Sequence, residues 1–355
     1  MRWLQQQVRD RDTDWLRFGQ VTACYNGDLV LFSYKREAEY ENRWNWFERS
    51  ARGLILNWRT GEIVAWPFPK FWNWNQGGRK AFGHIVTVTE KIDGSLGIFY
   101  RNGEDCCIAT RGNFESEQAM WATSFLRRAY GYTLLEIPEE WTLLFEIVYP
   151  DNRIVVDYEG REDLVLLAIR NRFTGDFLPF YPDVYQLAQK CGFGIPRVFD
   201  FNNVTDIIAA TDYLSANEEG FVVEFSDGNR FKFKGDAYVE LHRIVTNLSF
   251  KRVLRAVQEG TYQVLMDGLP DEFMVQVQEW RDEIEERVER ATQEVNQAYA
   301  DAPKGTRKAF ALWARANAEE LMPYLFARLD GKDVRNLILS RELKIWGECH
   351  VISTT

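Results

Sequence analysis

The sequence predicts an α+β protein with largely antiparallel sheets, followed by a small all-α C-terminal domain. Strand patterns dominate the first part of the chain, and its helices do not alternate with strands in a βαβ rhythm. Beyond Asp236 the strand signals nearly vanish, and apolar residues recur every three or four positions. We therefore expect two domains, residues 1–248 and residues 249–355.

The individual elements are predicted from alternating apolar residues, turn signals and helical spacing. The predicted strands are Val21–Tyr25, Leu29–Tyr34, Arg52–Trp58, Ile63–Trp66, the two arms of His84–Tyr100, Asp105–Arg111, Trp141–Val148, Arg153–Asp157, Asp163–Arg170, Glu219–Phe225 and Arg230–Lys234. The predicted helices are Met1–Phe18, Glu115–Tyr130, Pro182–Lys190, Val204–Leu214, Val277–Val295, Lys308–Arg328 and Val334–Trp346. The stretch 67–73 carries two prolines, which lack a backbone donor, so we expect an aromatic loop there.

The stretch His84–Tyr100 is predicted to be a β-hairpin that carries a lysine near its turn. β-Branched and aromatic residues fill both arms, and Asp93-Gly94 is a typical turn pair between them. Lys91, where the first arm ends, starts the pattern Lys91-x-Asp93-Gly94-Ser95 of enzymes that attack ATP with a lysine. Such a lysine must lose its proton, which requires burial or cationic neighbours that lower its pKa. The same residues also fit a plain hairpin with a solvated edge charge, and the motif alone does not decide.

Composition and charge restrict the possible functions. The net charge is −10, which argues against a chain that coats nucleic acid by bulk positive charge but permits a local basic groove. The five cysteines form no C-x-x-C motif, so we interpret them as reduced cytosolic thiols. The N-terminus lacks an apolar signal-peptide core, and the longest plain apolar run, Leu164–Ile169, is too short to span a bilayer. We expect a cytoplasmic monomer that needs no membrane.

Several charged residues lie where strand patterning favours apolar ones, or within the aromatic loop. They are Arg52, Lys70, Glu146, Glu219, Lys232 and Lys234. Lys232 and Lys234 alternate with Phe231 and Phe233, so both lysines share one face of a strand. Taken singly, each charge is more simply explained as a surface residue, and the alternation as a half-exposed strand. Lysine attack on ATP, however, needs cations for the phosphates, acceptors for the ribose and carboxylates for a metal, and this set contains each type.

In order and spacing, these residues resemble the covalent nucleotidyltransferase superfamily, which includes DNA ligases, RNA ligases and mRNA-capping enzymes. More narrowly, about residues 50–243 resemble the phage-type RNA ligase 1 family. The matching stretches are Ala51-Arg52-Gly53, Phe68-Pro69-Lys70-Phe71-Trp72-Asn73, Glu90-Lys91-Ile92-Asp93-Gly94-Ser95, 111–118, 145–155, Glu219-Gly220-Phe221-Val222, and Phe231-Lys232-Phe233-Lys234 through Tyr238.

The resemblance implies an antiparallel-sheet nucleotidyltransferase domain, an ATP-grasp-like ligase fold, followed by a helical domain that helps to choose the RNA. It implies ATP and Mg²⁺ or Mn²⁺ as cofactors. The implied partner is RNA with 5′-phosphate and 3′-OH ends, in RNA or tRNA repair. The implied reaction passes through a lysyl-adenylate and an RNA adenylate before the 3′-OH attacks and AMP leaves.

The resemblance also implies a role for each matching cation. Lys91 forms the lysyl-adenylate. Arg52 and Lys70 contact the nucleotide and its phosphates, and Lys232 and Lys234 hold the triphosphate.

The remaining matching residues are two carboxylates and one arginine. Glu146 is implied to bind the ribose or to steady Lys91, and Glu219 to contact the ribose or metal-bound water. Arg111 also belongs to the implied nucleotide site, but it stands where the family has a lysine, and arginine prefers bidentate contacts.

Two other interpretations compete with an RNA ligase. A capping guanylyltransferase or a DNA ligase would share the lysine chemistry, but these enzymes normally append a β-barrel, and helical spacing follows residue 250 here. A nucleotide-binding or RNA-binding protein without catalysis would not need the whole set of lysines and carboxylates.

Overall fold

The computed structural model describes residues 1–35, 37–40, 44–74, 76–245, 248–267, 269 and 271–349. The chain divides into two units, Met1–Val245 and Thr246–Thr355.

Among the described residues, the strands lie in the first unit, and helices occur in both units. The strands are β1 Val21–Asn26, β2 Leu29–Tyr34, β3 Arg52–Asn57, β4 Ile63–Ala65, β5 Trp72–Asn73, β6 Ile85–Glu90, β7 Ser95–Asn102, β8 Asp105–Ala109, β9 Trp141–Val148, β10 Asp163–Asn171, β11 Val198–Phe199, β12 Gly220–Phe225 and β13 Arg230–Lys234. The α-helices of the first unit are α1 Arg2–Arg9, α2 Trp15–Phe18, α3 Glu37–Tyr40, α4 Trp46–Ser50, α5 Glu117–Tyr130, α6 Tyr185–Cys191, α7 Val204–Thr211 and α8 Asp236–Val245. The α-helices of the second unit are α9 Phe250–Glu259, α10 Tyr262–Asp267, α11 Asp271–Asp301, α12 Arg307–Asn317, α13 Met322–Leu329 and α14 Val334–Cys349.

The described strands form three sheets. Their strand orders are β1-β2-β3-β4, β10-β9-β7-β8 and β11-β6-β12-β13-β5. Neighbouring strands are antiparallel in all three, apart from the parallel pair of β13 with β5. The prediction of a mixed α+β protein with antiparallel sheets is therefore confirmed.

The predicted hairpin at His84–Tyr100 is wrong. Strand β6 pairs with β11 and β12, whereas β7 pairs with β8 and β9, so the two arms belong to different sheets. The buried Asp93 side chain explains the difference, because it accepts hydrogen bonds from the backbone of Val155 and Val156 and from the Tyr238 hydroxyl. A carboxylate bonded to two distant segments holds this part of the chain as a crossing between sheets, not as an exposed turn.

Four smaller predictions also differ from the structure. Arg153–Asp157 is irregular, because two of its backbone N–H groups bind a side chain instead of a strand. Met1–Phe18 divides into α1 and α2, with Arg11 at a positive φ of 58° between them. The loop at 67–73 includes the short strand β5, and the predicted helix at 308–328 divides into α12 and α13 around a 3₁₀ turn.

Side-chain alternation gives the third sheet one apolar face and one polar face. Val88, Phe221, Val223 and Phe231 point to one side, where they form a buried cluster with Ile207 of α7. The residues between them in sequence therefore point to the opposite side, which faces the cavity described below. The second sheet packs α5 and α6 on one face in a separate buried cluster.

The second unit consists of helices in its described residues. The apolar stripe predicted for α11 is buried at Val277, Ile284, Val288 and Val295. Across the described chain, none of the helices combines the length and the apolar character needed to cross a membrane.

Candidate active site

A cavity of about 210 Å³ lies between the second and third sheets of the first unit. Strands β6, β12 and β13 line one side of it, and β7, β9 and β10 line the other. Its polar lining consists of Arg52, Thr87, Thr89, Glu90, Lys91, Glu146, Glu224, Arg230 and Lys232. Its apolar lining includes Phe68, Phe71, Leu167, Phe180 and Val222. This mixture suits a ligand that combines a flat apolar part with anionic groups.

Lys91 enters the cavity from the end of β6. Its backbone N–H donates to the carbonyl of Gly220, which anchors it against β12. Its ammonium lies 2.6 Å from one carboxylate oxygen of Glu219, and the ammonium of Lys234 lies 3.0 Å from the other oxygen. Burial alone would raise the pKa of Glu219, but the two ammonium groups outweigh it and lower the pKa below its ordinary value. One buried carboxylate therefore holds two of the predicted catalytic lysines together.

Arg52 and Lys232 meet at the ring of Phe71. The Arg52 guanidinium carbon lies 5.3 Å from the ring centre, and the Lys232 ammonium lies 5.6 Å from it. Cations over an aromatic face are held by its quadrupole without losing their charge. The aromatic loop thus aims two cations into the same cavity that contains Lys91.

Glu146 brings a second carboxylate to the cavity from β9. Burial raises its pKa to about 7, against the opposing effect of the Lys91 ammonium and with the added effect of Glu219. The two carboxylates next to Lys91 therefore differ in charge near neutral pH, since Glu219 stays ionised while Glu146 is partly protonated.

Two glycines allow the chain to approach closely at this site. Gly220 has φ of +141°, and a Cβ there would lie 1.9 Å from the carbonyl oxygen of Phe233. Gly53, after Arg52, has φ of +93°, and a Cβ there would lie 2.2 Å from Ile98. Side chains at either position would separate elements that carry Glu219 and Arg52.

Asp93 and Tyr238 form a hydrogen-bonded pair next to the lysines, and sequence reasoning did not assign this pair a role. The Tyr238 hydroxyl donates to Asp93 over 2.9 Å, and the Lys234 ammonium lies 5.4 Å from the Tyr238 ring centre. The backbone N–H of Asp93 in turn donates to the Tyr158 hydroxyl over 2.7 Å. The sequence signal for this role is the position of Asp93 two residues after Lys91, although the pair Asp93-Gly94 by itself predicts a turn.

Sequence reasoning also missed Arg230 and Glu224, which line the cavity one step along the sheet from Lys232. Their side chains form an ion pair of 2.8 Å in cross-strand register, and Arg230 stacks 4.1 Å from the ring centre of Phe177. Burial lowers the pKa of Arg230. The alternation Arg230-x-Lys232-x-Lys234 was a usable signal, because it extends the lysine face by one residue.

Lys70 and Arg111 lie in a different place. Neither lines the cavity. Both contact Tyr34, since the Lys70 ammonium lies 5.4 Å from its ring centre and Arg111 donates to its hydroxyl over 2.9 Å. Lys70 is only 3% exposed and forms a buried ion pair with Glu39. The structure thus brings Arg52, Lys91, Glu146, Glu219, Lys232 and Lys234 together, with Lys70 and Arg111 in a neighbouring cluster.

Fold and site together define an α+β protein with a cationic cavity suited to a phosphorylated ligand. A family model described as RNA ligase matches residues 50–238, which is just over half of the 355 residues. The chain therefore belongs to the RNA ligase family. The recognition of this family from the sequence motifs is confirmed.

Named relatives agree with this family. The chain is 28% identical over 243 residues to a protein of Autographa californica nuclear polyhedrosis virus described as a bifunctional polynucleotide kinase/RNA ligase, covering 61% of this chain and 34% of the relative. It is 24% identical over 394 residues to an RNA ligase of Rhodothermus phage RM378, covering 87% of each. The chain thus spans about a third of the length of the first relative and most of the second.

Similar solved structures include an RNA ligase of Naegleria gruberi determined with AMP and Mn, at 22% identity and a TM-score of 0.38. That match covers 45% of this chain and 52% of the other. Because the TM-score is low, the family assignment rests on the sequence match.

Proposed function

We propose that this protein is an ATP-dependent RNA ligase that joins 5′-phosphate and 3′-OH ends through lysyl-AMP and RNA-adenylate intermediates. The observation that carries the proposal is the position of Lys91, whose ammonium enters the cavity while Glu219 holds it beside Lys234. Arg52 and Lys232 supply further positive charge to the same cavity. A rigid nucleophile surrounded by phosphate-binding cations is what lysine attack on ATP requires.

In the first step, the Lys91 ammonium releases a proton to solvent and its nitrogen attacks the α-phosphorus of ATP, while the bond to the bridging oxygen breaks to release pyrophosphate. Lys91 must first leave Glu219, and Lys234 keeps that carboxylate paired when it does. Lys232, Lys234 and Arg52 balance the charge that develops on the phosphates. Glu146, with its raised pKa, is positioned to bind the ribose or to steady Lys91 in its neutral form.

A divalent cation, Mg²⁺ or Mn²⁺, would neutralise phosphate charge in this site. The donors that fit it are Glu219, through water, and the phosphates of ATP, because Mg²⁺ readily retains its waters. Within the described chain, no group of three or more His, Cys, Asp or Glu residues is arranged to hold a metal ion.

In the second step, AMP passes from Lys91 to the 5′-phosphate of the RNA. In the third, a 3′-OH attacks that activated phosphate, forming the new phosphodiester as AMP leaves. The last step consumes no ATP, because the pyrophosphate-like bond of the RNA adenylate carries the activation. A capping guanylyltransferase has no such sealing step.

The test uses the purified full chain with labelled ATP or GTP, and then pre-adenylated RNA. Acid-stable label from ATP on the protein is expected. After AMP is stripped with pyrophosphate, the protein should seal pre-adenylated RNA without ATP, and added ATP should inhibit because lysyl-AMP occupies the pocket. A preparation that labels itself but seals none of several single-stranded and nicked RNAs would contradict the ligase. Absence of any label would favour the non-catalytic alternative.

We extend the proposal to the role of the second unit, the cellular process, the location and the oligomeric state. We assign the helical unit a part in selecting the RNA, with RNA or tRNA repair as the process, and a cytoplasmic monomer as the working form. Adding the isolated tRNA fraction as competitor in the sealing assay, and measuring the mass in solution by light scattering, test the substrate and the oligomeric state.

A further inference from the structure

The polar face of the third sheet presents rows of side chains to the cavity, set by the register of its strands. One row consists of Thr87 on β6, Glu224 on β12 and Arg230 on β13, and all three line the cavity. Lys91 lies two rows away, where its backbone N–H donates to the carbonyl of Gly220. Lys91 follows Thr87 by four positions, which is about 13 Å of extended chain. The rows of Glu224 and Lys91 therefore mark opposite ends of this lining.

The two ends of the lining differ in charge. Lys91 shares the cavity with two further cations, Arg52 and Lys232. At the other end, the side chain of Glu224 is 27% exposed, whereas that of its partner Arg230 is 9% exposed, so the carboxylate is the more accessible group. An anionic triphosphate is attracted by the cations and repelled by an accessible carboxylate. A nucleotide with its phosphates at Lys91 therefore directs its base toward Glu224.

Arg230 holds the Glu224 carboxylate in a fixed position. Its Nη2 lies 2.8 Å from Oε1 of Glu224, and its guanidinium carbon lies 4.1 Å from the ring centre of Phe177 and 5.3 Å from that of Phe68. The two rings fix the orientation of the guanidinium, and the guanidinium fixes the carboxylate. A carboxylate has about four acceptor positions on its two oxygens. Glu224 can therefore accept a hydrogen bond from a ligand while it remains paired with Arg230.

Stability alone does not require an ion pair at this position. A buried pair that is replaced by apolar residues of similar volume often leaves stability unchanged or improves it. Val222, between Gly220 and Glu224 on the same face, lines the cavity with an apolar side chain. The fixed carboxylate at the end of the cavity is accounted for by a ligand that donates a hydrogen bond to it.

We propose that Glu224 accepts a hydrogen bond from the exocyclic amine of adenine in bound ATP, and that Arg230 is the positioning residue for this contact. The inference rests on the proposed function, because the base lies at Glu224 only when the phosphates lie at Lys91. The exocyclic amine of adenine is a donor, whereas guanine carries an oxygen acceptor at the same ring position. Glu224 is thus a specificity-determining residue for the nucleotide.

The experiment compares self-adenylation by ATP with that by purine riboside triphosphate, which lacks the exocyclic amine. The quantity measured is kcat/KM for each nucleotide, and the ratio of the two values reports the contribution of the amine. The variants are Glu224→Gln, Arg230→Lys and the double change Glu224→Leu with Arg230→Met, which leaves neither charge without its partner. Glu240→Gln is the matched control, because Glu240 forms an exposed pair with Arg243 over 2.7 Å in the same unit. Thermal unfolding shows whether each variant is folded.

Wild type and Glu240→Gln should use ATP about 10- to 100-fold better than the analogue, the usual effect of one hydrogen bond to a charged group. The double variant should bring this ratio to within about twofold of one, because it offers the amine no acceptor. Glu224→Gln should lie between, since its amide oxygen is a weaker acceptor than a carboxylate. Arg230→Lys should keep part of the ratio, because lysine retains the charge without the planar stacking.

A wild-type ratio near one would overturn the assignment, and so would a double variant with the same ratio as Glu240→Gln. If the double variant does not fold, Glu224→Gln decides in the same way, and a ratio equal to that of the control overturns the assignment. A general loss of stability would lower labelling by both nucleotides together and leave the ratio unchanged, so it would not imitate the expected result.

The same data separate this inference from the proposed function. A wild-type protein that labels itself with neither nucleotide contradicts the ligase, whatever the variants do. A wild type that labels itself with ATP and seals RNA, with the same ratio in every variant, contradicts only the role of Glu224 and Arg230.

Discussion

Two lysine–carboxylate pairs in the first unit have the same chemistry and opposite settings. Lys91 pairs with Glu219, and its side chain is 18% exposed at the cavity. Lys70 pairs with Glu39, and both of those side chains are more than nine-tenths buried. The rings of Tyr34 and Trp44 lie 5.4 and 5.6 Å from the Lys70 ammonium.

The difference shows that an ion pair with a glutamate does not by itself decide whether a lysine can react. Exposure of the lysine to the cavity, and a second cation that shares its carboxylate, are also needed. A ligand can replace Glu219 at Lys91, because Lys234 continues to neutralise that carboxylate. Lys70 does not line the cavity, and its ion pair packs against the rings of Tyr34 and Trp44. We therefore expect chemistry to depend on Lys91 and folding to depend on Lys70.

The largest effect is expected for substitution of Lys91. Lys91→Ala and Lys91→Arg should reduce covalent AMP labelling by at least about a thousandfold, since arginine stays protonated and cannot attack phosphorus. Both should keep the thermal unfolding behaviour of wild type. Acid-stable label retained by either variant would show that the nucleophile lies elsewhere.

The comparison is sharpened by breaking the buried pair of Lys70. Lys70→Met and Glu39→Gln should each lower the free energy of unfolding by about 3 kcal/mol, the usual cost of removing one partner from a buried pair. Lys91→Met should cost much less, because Glu219 keeps Lys234. Denaturant titration measures all three. The exposed pair of Lys190 with Glu136 provides the control, and Lys190→Met should change little. Equal stability of Lys70→Met and wild type would contradict the assignment.

Substitution of Lys232 and Lys234 tests whether the two lysines act together on the phosphates. Each Lys→Ala change should slow self-adenylation by roughly 30- to 100-fold, because each removes one cation from the developing phosphate charge. The double variant should lose less than the product of the two, since both act on one phosphate chain. Single-turnover labelling rates provide the measurement. Rates equal to wild type in both single variants would mean that these lysines form only a half-exposed strand face.

The residues around Lys91 could largely be predicted from sequence, because the patterns that indicate them are local. The alternation of Lys232 and Lys234 with phenylalanines indicates that both lysines share one face of a strand. Glu219 precedes a glycine, and Gly220 lies so close to Phe233 that no side chain fits there. Such patterns depend on spacing within one strand or turn. The family match at residues 50–238 agrees with them.

The support of the site could not be predicted in this way. Asp93 binds Tyr238, 145 residues away, and it thereby converts an apparent turn into a crossing between two sheets. Lys70 binds Glu39 across 31 residues, and no local pattern indicates that the loop lysine is enclosed. Both outcomes depend on long-range partners, which a single sequence does not identify.

The smallest expected effect concerns Glu146. The two carboxylates beside Lys91 should contribute to the free energy of unfolding with opposite pH dependence. The native pKa of Glu146, about 7, lies above its ordinary value of 4.5, so the native state binds the proton more tightly than the unfolded state. Stability should therefore rise as the pH falls from 7 to 4.5, and above pH 7 ionisation of the buried carboxylate costs stability. Glu146→Gln removes that cost, so the variant should be more stable than wild type at pH 8 and equal to it near pH 4.5.

Glu219 has a lowered pKa, so its contribution to stability is present at neutral pH and is lost as the pH falls below 4.5 through the native value. Glu219→Gln should accordingly be less stable than wild type at pH 8. Urea titrations of the three proteins across this range measure both signs, and a Glu146→Gln variant that is less stable at pH 8 would mean that the carboxylate is ionised and favourably paired in the native state.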